Sequence, residues 1–593
     1  MDNAGGGFIH AGTLGDLRAS RRTVVSTPGG AVLIVSDGDD VVALDNRCPH
    51  MGFPLHRGSI EDGILTCHWH HARFDLRSGC AFDLWADDVP VRAVRIVGDA
   101  VWVAAQPAPR DEASHWRRRL HDGLAQNINL VIGKAVLGAT AARVPAADLV
   151  RDALLFGARH RDRWGVGLTT LIAMADLLPV LGEDDRYLAL FHGIGAVAAD
   201  CAGETPRNDS EPLDGTIPRA TLARLFRHWV RVRHLTAAER TLRTAIAAGA
   251  TPGWLAATTL TAVTDRYFAA GGHALDFLNK AFEGIDLIGW QHADAVLPAV
   301  VPILTGSLGS EEADSWRHPV DLVAMAETAL LDLPDALAAG RPRRGQWHDH
   351  AALGRAVLGE DPGATLKALL AAIRAGASPA DVARAVAFAA ALRIAHFATS
   401  NEHADWESAH HTFSYANAAY GLLQRATDGG ADQQTEADGL RAAIHGALAV
   451  YLNRYLNVPP ARLPRDEEPA GQALADVRRA FLDACDRQQQ VEEAARLTSR
   501  HLAAGHAADL MAVLGHALLR EDAGFHMVQN LQAAVQQYLA WQGGPDAAPI
   551  LIAAARYLAA HSPTARARHQ TAQVARRLMM GGAVHEGIDP AEI

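Results

Sequence analysis

Arg47-Cys48-Pro49-His50-Met51-Gly52 is followed, after a gap of 16 residues between His50 and the next cysteine, by Cys67-His68-Trp69-His70. Each stretch offers one thiol and one imidazole, spaced Cys-x-His in the first and Cys-x-x-His in the second. Two cysteines with two histidines form a metal donor set, and zinc accepts those donors. A zinc finger, however, puts both cysteines on one side and both histidines on the other. One of each per loop suits a pair of bridged irons, with both thiolates on one iron and both imidazoles on the other.

Short β-branched or alternating runs surround these loops: Val24-Val25, Ala31–Val35, Asp40–Leu44, Ile64–Thr66, Val91–Ile96 and Ala100–Ala104. Gly29-Gly30, Asp37–Asp40, Glu61–Gly63 and Gly98-Asp99 separate them with turn chemistry. The spacing predicts a small antiparallel β domain over residues 1–106. This part closely resembles the Rieske [2Fe–2S] family of the soluble ferredoxin type over residues 8–106, including Phe74-Asp75, Gly79 and Asp88-Val89-Pro90-Val91. The resemblance implies a [2Fe–2S] cluster with Cys48 and Cys67 on one iron and His50 and His70 on the other.

The respiratory branch of that family has a further cysteine in each loop, where this chain has Phe53 and Trp69. It also has a serine and a tyrosine whose hydroxyls bond the sulfurs, where this chain has Ala72 and Phe74. Hydrogen bonds to sulfur stabilise the reduced cluster, so their absence implies a midpoint potential toward the low end of the range, roughly −150 mV. Cys80, just past the motif, is expected to be a small packed residue, and His56, His68 and His71 solvent-facing or supporting groups.

Residues 107–112 read as a linker. Beyond them the sequence turns Ala/Leu/Arg-rich, with apolar residues at three- and four-residue spacing in Pro145–Ala158, Pro379–Ala395 and Glu492–Ala504. No βαβ alternation or glycine-rich nucleotide fingerprint is present, so this region is expected to be all-α. The fold class is therefore multidomain β + α. Local matches suggest an internal duplication: Trp164 onward with Trp406 onward, Phe191-His192-Gly193 with Ile444-His445-Gly446, and Gly272-His273 with Phe525-His526. His192 to His273 and His445 to His526 are each 81 residues apart. Two helical halves, 113–347 and 348–593, follow from that period. Phe-His-Gly and Gly-His-Ala-Leu also give the helical part a faint similarity to questin-oxidase-like proteins, cofactor-independent Baeyer–Villiger-type monooxygenases, which carries no residue across.

In the second half, Glu407, His410 and His411 stand at three- and four-residue spacing and so share one helix face, the pairing that di-iron bundles use. The matching place in the first half, Gly165–Leu168, lacks a second Glu-x-x-His, which favours a mononuclear or metal-free site. Glu407, His410 and His411 are the candidate catalytic residues, with a second iron as the metal they would hold. His192, His273, His445 and His526 are read first as packed, hydrogen-bonded residues.

Of 55 basic residues only Lys134, Lys280 and Lys367 are lysine, which reads as codon bias, and the formal charge is −12 with no basic block, which argues against a nucleic-acid partner. No apolar run reaches the ~18 residues that cross a membrane. No secretory signal is evident, and five cysteines in so long a chain point to a reducing, cytoplasmic setting rather than a disulfide framework. The expectation is an iron–sulfur oxidoreductase that relays single electrons to an oxygenase-like centre among the helices, where an apolar small molecule would bind. The alternative is an electron-transfer protein whose helical repeats dock a partner enzyme. With no flavin or nicotinamide motif, either reading requires an external reductase as donor.

Overall fold

The computed structural model describes residues 7–430, 432–464 and 474–584. The chain divides into two compact units, Met1–Leu149 with Ala567–Ile593, and Val150–Arg566.

The first unit carries every strand among the described residues. β1 (Phe8–Thr13) leads into a short helix α1 (Leu14–Ser20), followed by β2 (Arg22–Thr27), β3 (Gly30–Asp37) and β4 (Asp40–Asp45). β5 (Ser59–Glu61), β6 (Ile64–Thr66) and β7 (Arg73–Asp75) come next, then β8 (Val91–Arg92), β9 (Val94–Val97) and β10 (Ala100–Ala104). They form three antiparallel sheets in the orders β1-β10-β9, β2-β3-β4-β8 and β5-β6-β7. Leu33, Val35, Leu44, Leu55, Leu65, Phe74, Leu76 and Val89 pack with Cys48 and Cys67 into one core. The cysteines are therefore buried within an apolar core, which keeps water from their thiols.

This unit extends past residue 106. α2 (Glu112–Gln126) begins under an Asp111 side-chain cap, and α3 (Asn129–Ala141) turns back along it. A Cβ on Gly138 would lie 2.2 Å from the Trp116 ring, so only glycine allows the two helices to approach this closely. The last helix, Ala567–Met579, packs on α3.

The second unit is all helix. Four members form a bundle: α4 (Val166–Leu177), α5 (His273–Ile288), α6 (Asp405–Asp428) and α7 (Phe525–Ala540). α4 packs on α7 as α6 packs on α5, and α4–α5 and α6–α7 complete the ring. α4 and α6 carry the matched Trp164 and Trp406 stretches, and α5 and α7 open with the matched His273 and Phe525-His526, so the pairing is consistent with the repeat. No helix among the described residues is long and apolar enough to cross a membrane.

Candidate functional site

In the first unit the two motif loops are closed by the same pair of backbone hydrogen bonds. Cys48 N–H donates to Phe53 O and Gly52 N–H to Cys48 O, both at 2.8 Å. Cys67 N–H donates to Ala72 O and His71 N–H to Cys67 O, both at 2.9 Å. One loop follows β4 and the other joins β6 to β7, and they bring Cys48, His50, Cys67 and His70 together. The His50 and His70 rings lie 4.8 Å apart, and the two thiols hydrogen-bond to each other. That contact, reinforced by the N–H groups of Trp69 and His70, pulls Cys67 down to about 6, while the same contact and burial push Cys48 up. Burial, with His70 and Lys134 adding positive charge, lowers His50 to about 4, so its ring is neutral and able to coordinate.

His50 Nδ1 is buried with no hydrogen-bond partner. An orphaned imidazole nitrogen beside two buried thiols in contact fits a metal-bound state and makes poor sense as plain packing, because an unmet polar atom costs about 1–3 kcal/mol. The residues present thus fit the cluster that the sequence implies. Phe53 and Trp69 fill the places of the absent loop cysteines, and Phe74 and Ala72 are fully buried without a hydroxyl to offer. Cys80 is exposed, not packed as the sequence suggested, and lies just beyond the turn that follows β7.

The two loops are supported differently. Arg47 Nη2 donates to Leu578 O (2.9 Å) and Gly582 O (2.5 Å), beyond the last helix. Lys134 Nζ, from α3, donates to Pro49 O (2.5 Å) and His50 O (3.0 Å) and stands 3.5 Å from Asp87. Arg119, from α2, bonds Asp87 Oδ1 (2.8 Å) and the carbonyls of Leu84 and Ala86, fixing Trp85, whose ring lies 4.6 Å from that of His50. His50 is half-buried under this cover, whereas His70 is exposed. Nothing in the loop motifs signals these partners, which lie up to 535 residues away in sequence.

In the second unit, His411 meets His273 and His526, with one potential ligand atom of each within 4.8 Å of the others. His411 Nε2 is 3.0 Å from His526 Nε2. Each of two outer nitrogens faces a carboxylate: His273 Nδ1 lies 3.0 Å from Asp276 Oδ2, and His526 Nδ1 3.4 Å from Glu407 Oε1. Carboxylates behind imidazoles orient ligands and raise their basicity. Burial lowers His411 to about 3 and His526 to about 4, with neighbouring rings adding to the effect. For His273 burial pulls down, but Asp276 outweighs it and the result lies above the ordinary value. Ser414 donates to Asp276 Oδ2 at 3.3 Å, and Asp276 Oδ1 is buried without a partner.

His273 is presented by an unusual backbone. Phe268 (φ 45°) and Ala270 (φ 53°) are left-handed, as are Gly271 and Gly272 immediately before the helix. For the two non-glycine residues that conformation costs of order 1–3 kcal/mol each, strain that concentrates at functional sites.

Of the residues the sequence singled out here, His411 joins the cluster. Glu407 lies behind His526 with a half-exposed side chain. His410 points elsewhere: it is fully buried, its Nδ1 3.3 Å from Asn530 Nδ2 and its Nε2 unpartnered. His273 and His526, expected from the sequence as packed residues, are cluster members instead, and their equal spacing from His192 and His445 is the sequence signal for them. His445 is buried and stacked on Tyr267, with ring centroids 4.2 Å apart. Deeper in the bundle Lys280 Nζ donates to Glu283 (2.5 Å) and Gln532 (2.7 Å) and stands 3.7 Å from Asp176, so an ammonium occupies the polar centre.

Residues 9–91 match the family described as Rieske [2Fe-2S] domain, and the match lies wholly within the first unit. The chain is 34% identical over 91 residues to Apoptosis-inducing factor 3 of Homo sapiens, covering 15% of this chain and 15% of that protein. It thus spans under a sixth of that relative's length. Over 74 residues it is 35% identical to the Biphenyl 2,3-dioxygenase, ferredoxin component, of Rhodococcus jostii (strain RHA1), covering 12% of this chain and 68% of that one. Among solved structures, the ferredoxin of carbazole 1,9a-dioxygenase from Nocardioides aromaticivorans IC177 is 29% identical, covering 17% of this chain and all of that one, with a TM-score of 0.17.

Proposed function

Because this chain belongs to the Rieske [2Fe–2S] family through residues 9–91, we propose that it is an iron–sulfur oxidoreductase whose cluster feeds single electrons to a metal-dependent centre in the helical unit. Cys48, Cys67, His50 and His70 hold the cluster, which supplies one-electron transfer. The exposed His70 ring is the side at which an external reductase approaches, and the covered His50 side is not.

The observation that carries the second half of this reading is the convergence of His273, His411 and His526 from three helices, with Asp276 and Glu407 behind two of them. Three converging imidazoles, two of them (His411 and His526) held neutral by burial, suit a divalent transition metal with positions left open for an exogenous ligand. The aromatic rings of Phe277 and Phe525 beside His273 suit a small, largely apolar substrate.

Metal analysis tests both halves. The wild type is expected to carry two irons matched by two acid-labile sulfides, plus one further metal. His411→Ala is expected to lose that further metal and keep the sulfide. A wild type that never holds more than the two cluster irons removes the helical centre. It leaves the reading favoured by the match to a ferredoxin component, in which the helices dock a partner enzyme.

A further inference from the structure

The helical part of the first unit does more than connect. Among the described residues, Lys134 is a side-chain cation buried directly behind a ligand-bearing loop, and both carbonyls it bonds belong to the Cys48–His50 stretch. Burying an ammonium costs several kcal/mol unless it is paired and hydrogen-bonded, and here two carbonyls and Asp87 meet that need. Asp87 is in turn held by Arg119, which also fixes the backbone around Trp85 against His50. Two helices outside the family match therefore deliver a charge to the Cys48–His50 loop.

Reduction adds one negative charge to the cluster. A buried positive charge beside its ligand loop lowers the free energy of the reduced form in a medium that screens poorly. The missing hydroxyls at positions 72 and 74 act in the opposite direction. We propose that Lys134 is a positioning and charge-tuning residue of the cluster, raising its midpoint potential through the Pro49 and His50 carbonyls, with Asp87 as the counter-charge that sets how far. The inference rests on the cluster reading above and extends it to residues that the loop motifs do not contain.

The test is a spectroscopically monitored redox titration of the full chain, with iron and sulfide counted on each sample. Lys134→Gln keeps hydrogen-bond donors toward the two carbonyls but removes the charge, and its midpoint is expected to fall. Asp87→Asn removes the opposing charge, and its midpoint is expected to rise. Opposite shifts at full cluster loading support the role. A Gln variant titrating like the wild type shows that Lys134 only props the loop and overturns it. Should Lys134→Gln fail to assemble a cluster, Asp87→Asn decides alone: an upward shift supports the proposal, and an unmoved or lowered midpoint refutes it. A wild type without iron and sulfide overturns the cluster reading itself, an outcome separable from any of these.

Discussion

Gly52 and His71 occupy the same place in two loops of different sequence. Each is the fourth residue after its cysteine, each donates its N–H to that cysteine's carbonyl, and each is left-handed, with φ of 86° and 63°. A left-handed residue with a side chain costs roughly 1–2 kcal/mol, which glycine avoids. Gly52→Ala should therefore lose about 1–2 kcal/mol in chemical denaturation, and its added Cβ would also lie 2.9 Å from the Ala583 backbone. His71→Gly should be neutral or slightly stabilising with the cluster retained. Equal losses in both variants would show that loop strain is not what separates them.

The midpoint potential should be negative, near the lower end of the Rieske range at roughly −150 mV. Phe74→Tyr places a hydroxyl at a fully buried position in the cysteine core, and Ala72→Ser does so at another. Both should raise the midpoint, which redox titration followed by electron paramagnetic resonance measures directly. A wild type with a clearly positive midpoint would contradict the argument from missing hydroxyls.

Removing the carboxylate behind a metal-bound imidazole typically costs ~10–100-fold in affinity. Asp276→Asn should weaken the third metal by that order, whereas His411→Ala or His526→Ala should abolish it. None of the three changes should alter the iron-to-sulfide ratio of the cluster. Competition with a calibrated chelator gives the affinities, and an unchanged value for Asp276→Asn would mean that His273 does not ligate.

Asp381 caps helix Pro379–Ala395 through Ser378 and also meets His350 Nε2 at 2.8 Å. Burial pushes its carboxyl up, but His350 and Ser378 outweigh that and hold it at about 2. Its folded value is thus below the unfolded one, ~3.9. The stabilisation is present in full above about pH 4 and is lost as pH falls toward 2. Asp381→Ala should cost about 1–2 kcal/mol at neutral pH, with the deficit shrinking in acid. A deficit that grows on acidification would reverse the sign and refute the assignment.

α2 and α3 can be tested as a unit through Gly138→Ala. Its Cβ would collide with Trp116, so a loss of about 1–3 kcal/mol is expected. A thermal midpoint matching the wild type would show that the two helices separate freely.

The strand-rich and helix-rich regions were legible because their periodicities differ. Asp40–Leu44 and Ala100–Ala104 appear as β4 and β10, and Pro379–Ala395 begins and ends where its serine cap and apolar spacing place it. β1 gave no strand signal because Gly12 and a register shift interrupt its alternation, and β5 and β7 gave none because Ser59-Ile60-Glu61 and Arg73-Phe74-Asp75 each hold one apolar residue between polar ones, unlike Ile64-Leu65 in β6. The four cluster ligands were legible because both motif loops are local. The histidine cluster was only partly so: Glu407, His410 and His411 share a helix face, but which of them meets His273 and His526 depends on packing between helices over 100 residues apart. Arg47, Lys134 and Arg119 gave no local signal at all.

The lysines deserve a different explanation from codon bias alone. Lys134 and Lys280 are buried in hydrogen-bonded charge networks, and Lys367 is exposed. A planar guanidinium presents its donors in a fixed fork, so arginine is not an equivalent replacement for the compact ammonium at two such sites. A practical consequence follows for handling the molecule. Among the lysine side chains, an amine-reactive dye, crosslinker or surface-coupling reagent would find Lys367 exposed and Lys134 and Lys280 buried, so its attachment beyond the α-amino group would mark one defined point.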